Sequence, residues 1–143
     1  MPQRAAERRL RKYRLVSGKN VYYIRHMIHF GQHVRETRED LRKGDRRYSL
    51  RQVAERIGVE PAYLSKVERG EVAPPSETTT VKLAKELGED PDVLLAMAGK
   101  VSSDLQEIIR KRPRLFADLI RELKSAPDHA ILRVVREVRD GDW

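Results

Sequence analysis

The stretch Ser49–Gly70, SLRQVAERIGVEPAYLSKVERG, constrains this chain more than any other. Ser49 with Gln52 three residues later forms a capping box, which predicts a helix start. Val53, Ala54 and Ile57 recur at i, i+1 and i+4 and give that helix one apolar face. Gly58 predicts its end, because a residue without Cβ takes the left-handed terminal turn without steric cost. Glu60-Pro61 restarts the pattern, with Pro61 suited to the first helical position. Leu64 and Val67 supply a second apolar face, and Gly70 ends it. The expected product is two helices of about nine residues, joined by a turn of about three that contains a glycine.

Two helices joined in this way make a helix-turn-helix unit, whose second helix enters the DNA major groove. The flanking sequence extends the pattern: GQHVRETREDLRKG (31–44), VKLAKELG (81–88) and DPDVLLAMAG (90–99). On these residues, the segment from about Phe30 to Gly99 resembles the lambda-repressor-like (Xre or Cro-type) helix-turn-helix family. The resemblance covers about half the chain and implies an all-α fold with five helices over residues 30–99. Helix 1 is expected from Gly31 to Lys43, with Val34 and Leu41 facing the core. Ser76 should cap helix 4, which ends at Gly88. Asp90-Pro91 should open helix 5, with Val93, Leu94 and Met97 as its buried set.

Site residues follow from the resemblance position by position. Glu60, Ala62, Tyr63 and Lys66 are expected to read DNA bases, with Tyr63 also within reach of phosphate. Lys66 can donate to guanine, Glu60 can accept from cytosine N4, and Ala62 can touch a thymine methyl. Ser49, Arg51, Gln52, Ser65 and Arg69 are expected to meet DNA phosphates; Arg46 and Arg47, in a loop outside the family pattern, either add charge for a phosphate at the N-terminus of helix 2 or lie in a solvated loop. Arg38 and Glu68 occupy positions that the resemblance pairs as a structural ion pair between helix 1 and helix 3. The chain also departs from the family pattern. Asp45-Arg46-Arg47 lengthens the connection before helix 2, and Thr37 and Thr80 stand where the family prefers apolar residues. Glu60 replaces the usual Ser or Thr, so the N-cap of the recognition helix should be weak.

The net charge of +8 favours a polyanionic partner, and the excess lies almost wholly in residues 1–47. Residues 48–100 are slightly acidic and residues 101–143 nearly neutral. Residues 1–29 lie outside the resemblance. They carry Arg4, Arg8, Arg9, Arg11, Lys12, Arg14, Lys19 and Arg25 against one acid, Glu7. Two readings stand: a basic arm that lies on phosphates or enters the minor groove, or a leader upstream of Met27. Val21–Ile28 is apolar enough to pack on the domain or to extend helix 1.

The absence of cysteine excludes disulfide and thiolate chemistry. No phosphate loop, nucleophile elbow or metalloprotease motif points to an enzyme. His26, His29 and His33 recur at i, i+3 and i+7, but no Cys completes a set, so neither metal nor cofactor is expected. No run of about 18 apolar residues is available to span a membrane. The resemblance implies a bacterial or phage protein acting in the cytoplasm.

Residues 100–143 predict three further helices. Ser103 with Gln106 opens the first, Pro113 separates it from the second, and Pro127 precedes the third. Their stripes are Leu105, Ile108 and Ile109; Leu115, Phe116, Leu119, Ile120 and Leu123; and Ile131, Leu132, Val134, Val135 and Val138. Short helices with such stripes need a partner surface, which makes this extension a dimerisation or partner-binding region. The resulting expectation is a dimeric repressor on an inverted repeat of double-stranded DNA, with autoregulation common in the family. The alternative is an antitoxin that binds DNA and holds a toxin through the same extension.

Overall fold

The computed structural model describes residues 21–143, and for residues 21–28 only the helical path of the backbone. Residues 1–20 of the expected basic arm therefore fall outside the described residues, as do the side chains of Arg25 and His26. The chain divides into two compact units, Met1–Ser102 and Ser103–Trp143. The first contains α1 (Val21–Gly44), a 3-10 turn (Arg46–Tyr48), α2 (Leu50–Ile57), α3 (Pro61–Glu68), α4 (Glu77–Leu87) and α5 (Pro91–Met97). The second contains α6 (Ser103–Lys111), α7 (Pro113–Leu123) and α8 (Asp128–Asp140). The described residues include no strand, so the fold is all-α.

Local chemistry sets the helix ends. Ser49 Oγ accepts from the Gln52 amide at 3.3 Å and opens α2. Gly58, at φ +78°, closes it, and the Val59 amide reaches back to the Ala54 carbonyl at 3.0 Å. Ser76 Oγ accepts from the Thr79 amide at the start of α4, and the Asp90 carboxylate from the Asp92 amide at the start of α5. α3 begins at Pro61 behind Glu60, whose side chain makes no capping bond.

α1 runs beyond Gly31–Lys43, and of the two readings of Val21–Ile28 the structure has the one that extends helix 1, because Gly31 does not interrupt it. Gly31 is buried where α1 crosses the end of α3. A Cβ there would lie 2.2 Å from the Val67 carbonyl oxygen and 2.8 Å from that of Glu68. The glycine costs some helix propensity but lets the two backbones touch.

The core joins Phe30 and Val34 of α1 to Val53, Ala54 and Ile57 of α2, Leu64 and Val67 of α3, Leu83, Ala84 and Leu87 of α4, and Leu94 of α5. Helix 5 corrects the expected buried set. Leu94 and Leu95 are both fully buried and Met97 is half-buried, whereas Val93 is 55% exposed. At 3.6 residues per turn, a face centred between Leu94 and Leu95 leaves Val93 on the far side. Thr80 is fully buried, and its hydroxyl donates to the Pro75 carbonyl at 3.2 Å, so the polar atom is satisfied. Thr37 is half-buried, and its hydroxyl donates to Glu89, whose two carboxylate oxygens also lie 2.7 and 2.8 Å from His33 Nε2. The two family departures are thus a backbone bond and a polar tie between α1 and the loop after α4.

Beneath the surface, Arg38 of α1 meets Glu68 of α3 in a two-bond fork, Nε to Oε1 at 2.7 Å and Nη2 to Oε2 at 3.1 Å. The residues are 3% and 6% exposed. Arg38 Nη1 also donates to the Tyr48 carbonyl at 3.1 Å, and Nη2 to Glu39 at 2.9 Å. Burial disfavours the Arg38 charge, but Glu68 and Glu39 outweigh it and hold the guanidinium protonated.

In the second unit, α6 and α7 touch each other, and no residue of α6, α7 or α8 is buried. Leu115 is 68% exposed, Ile120 57% and Val138 63%.

Two stability effects are expected in urea denaturation. Glu68→Ala leaves the Arg38 charge buried without its partner and should cost about 3–5 kcal/mol. Gly31→Ala should cost about 1–3 kcal/mol by forcing α1 from α3, although alanine is the better helix former.

Candidate nucleic-acid interface

The α2–turn–α3 unit is fixed from beneath and open above. Val53, Ala54, Ile57, Leu64 and Val67 anchor its two helices in the core. Arg56 adds a lateral tie: its Nε donates to Glu86 of α4 at 2.7 Å, and its guanidinium lies 5.6 Å from the Tyr48 ring centroid. The outward face of α3 and the approach to α2 are therefore held on rigid supports, as a reading surface requires.

The expected base-reading residues divide by exposure. Glu60, Ala62 and Lys66 are exposed. Tyr63 is half-buried and packs against the core, so much of its ring is committed to the fold.

Among the expected phosphate contacts, Arg46, Arg51 and Gln52 are exposed. Neither Arg46 nor Arg51 makes a salt bridge among the described residues, and the same holds for Lys66. Ser49 is half-buried and spends its hydroxyl on the α2 cap. Arg47 and Arg69, in contrast, already hold carboxylates. Arg47 Nη2 lies 2.7 Å from Asp45 Oδ2 and its Nε 2.9 Å from the same oxygen. Arg69 donates through Nε and Nη2 to the two oxygens of Glu71, at 2.9 and 3.1 Å, and through Nη1 to Ser65 Oγ at 2.8 Å. The hydrogen bonds from Arg47 hold the Asp45 carboxyl below its ordinary range, and those from Arg69 do the same for Glu71. Sequence reasoning found both arginines and missed both acids. The available signal was an acid two residues from each arginine.

Electrostatics at the start of α2 run against ordinary helix chemistry. A helix N-terminus carries partial positive charge and favours acids. The first turn of α2 holds no acid and includes Arg51, with Arg46 and Arg47 just upstream. Such an end favours an anion seated on it.

A family model described as helix-turn-helix matches residues 39–94. These residues are a lambda-repressor-like helix-turn-helix domain. The matched segment begins within α1, spans α2 and α3, and ends within α5. The helix-turn-helix family is one of DNA-binding transcription regulators and not an enzyme family. No curated protein and no solved structure matches the chain. Within the matched segment α2 and α3 correspond to the first and second helices of the motif. No helix among the described residues is long and apolar enough to cross a membrane. Nor do they contain a group of three or more His, Cys, Asp or Glu able to hold a metal.

Ser49→Ala removes the cap of α2 and should lower stability by about 0.5–2 kcal/mol in thermal unfolding. Ser49→Asp, which restores an acceptor and adds the charge that the helix end lacks, should recover that loss.

Proposed function

We propose that this chain is a dimeric transcriptional repressor that reads an inverted repeat in double-stranded DNA. The observation that carries the reading is the N-terminus of α2. There Arg46 and Arg47 precede, and Arg51 lies within, a first turn that has no acid, an arrangement that suits a backbone phosphate. Gln52, Ser65 and Arg69 extend the phosphate track, while Glu60, Ala62 and Lys66 meet base edges. Tyr63 flanks them through the part of its ring that the core leaves open. Ser49 serves through its cap, by holding the end of α2 in place. The protein would act on the nucleoid in the cytoplasm of a bacterium or of a phage-infected cell.

The dimer is inferred from the second unit. Its 41 residues, Ser103–Trp143, carry three amphipathic helices without one buried side chain. Chains of about 40 residues seldom sustain a fold without external support. Their nearly balanced charges impose little repulsion between copies. Two-fold pairing would place the recognition helices about 34 Å apart, one turn of duplex.

Footprinting on the DNA upstream of the gene, across a salt series and with the mass in solution measured alongside, tests the reading. A protected inverted repeat bound by two copies supports autoregulatory repression. Tight binding only in the presence of the adjacent gene's product would favour an antitoxin. A failure to bind duplex DNA at low salt would overturn DNA recognition altogether. Lys66→Ala should cost about 1–3 kcal/mol on the operator and much less on random duplex. An equal loss on both would remove Lys66 from base reading.

A further inference from the structure

The two clamped arginines border the helix-turn-helix unit at opposite ends. Arg47 lies two residues before the cap of α2, and Arg69 is the C-cap of α3. In this motif the second helix lies in the groove while the first crosses the backbone, so both positions border the phosphate track. Each arginine is exposed, at 79% and 48% of its side chain. Each is nevertheless held in a two-pronged grip by a carboxylate from its own loop. The grip of Glu71 on Arg69 uses one oxygen per prong. Asp45 takes Arg47 Nε and Nη2 and also accepts from the Arg47 amide at 2.9 Å.

A guanidinium fork binds a carboxylate and a phosphodiester in the same geometry, through two parallel N–H bonds. A carboxylate already in the fork must leave before a phosphate can enter. We propose that Asp45 and Glu71 are built-in competitors of the DNA backbone, each occupying the arginine fork that a phosphate takes on binding. This inference rests on the DNA-binding reading above and deepens it, naming two acids that set how strongly the protein holds any duplex. Their hydrogen bonds fall on Arg47 and Arg69 and on no base-reading residue. Masking two arginines therefore lowers affinity for random DNA and raises the share of binding that depends on sequence.

The local structure makes the competitors specific. Gly70, at φ +72°, turns the chain back so that the Glu71 amide donates to the Lys66 carbonyl at 2.9 Å. That turn sets Glu71 beside Arg69. Asp45 caps the 3-10 turn that carries Arg47, so its position is likewise fixed by backbone. Both pairs are exposed, and exposed ion pairs open at little cost.

The test compares Glu71→Gln, Asp45→Asn and the double variant with the unaltered full chain. Binding to a random duplex and to the footprinted operator is measured by anisotropy across a salt series. Asparagine keeps the capping oxygen of Asp45, and unchanged circular dichroism and melting confirm folding. Glu122→Gln, the same charge change on an exposed residue of α7, controls for net charge. Each site variant should tighten random-duplex binding about two- to fivefold, the range for opening an exposed pair. The slope of log affinity against log salt should change by less than the roughly 0.9 of one added phosphate contact, because the same phosphates are bound once the carboxylate is displaced. Glu71→Gln in an Arg69→Ala background should gain nothing. Unchanged affinity, weaker binding, or an equal gain from Glu122→Gln would overturn the proposal while leaving DNA recognition intact. Loss of all duplex binding in both the unaltered chain and the variants would overturn the underlying reading as well.

Discussion

The Arg38–Glu68 pair is the contact on which the orientation of the recognition helix depends. Glu68 is the last residue of α3, and Arg38 lies in the middle of the described part of α1. Arg38 also holds the Tyr48 carbonyl, so one guanidinium fastens α3, α1 and the turn that leads into α2. Apolar packing around Leu64 and Val67 holds α3 against the core but tolerates small rotations and slips. A two-pronged fork tolerates neither, because both N–H bonds must stay in line. Such a pair adds little net stability compared with apolar substitutes, since desolvating two charges is costly. What it contributes here is a fixed geometry for a helix whose outer face must meet a rigid duplex.

The elements with strong local chemistry were legible in the sequence. The caps at Ser49, Ser76 and Asp90 and the stops at Gly58 and Gly88 lie where the structure has them, because each is decided by a few adjacent residues. Helix 5 was less legible. Val93, Leu94 and Leu95 are three consecutive apolar residues in a seven-residue helix, and periodicity alone does not say which two face inward. The length of α1 depended on a tertiary fact: Gly31 reads as a breaker until α3 is placed against it. The acids opposite Arg47 and Arg69 escaped notice for a different reason. Resemblance assigns the arginines to phosphate but is silent on a neighbouring acid that the pattern does not include. Thr37 and Thr80 looked like defects and proved to be hydrogen-bonded, one to Glu89 and one to the Pro75 carbonyl.

The chain divides its work by composition. Residues 48–100 carry the reading surface and are slightly acidic, and residues 1–47 carry most of the positive charge. The Ser103–Trp143 unit supplies apolar surface in place of charge.

Gly31 carries one more implication. With no methyl group at that position, the backbones of α1 and α3 meet directly, and the α3 carbonyls of Val67 and Glu68 form the seat. Two helices in backbone contact have no side chains between them to deform. The closeness of α1 and α3 at this crossing therefore depends on an absent atom, and any side chain larger than hydrogen there would part the two backbones.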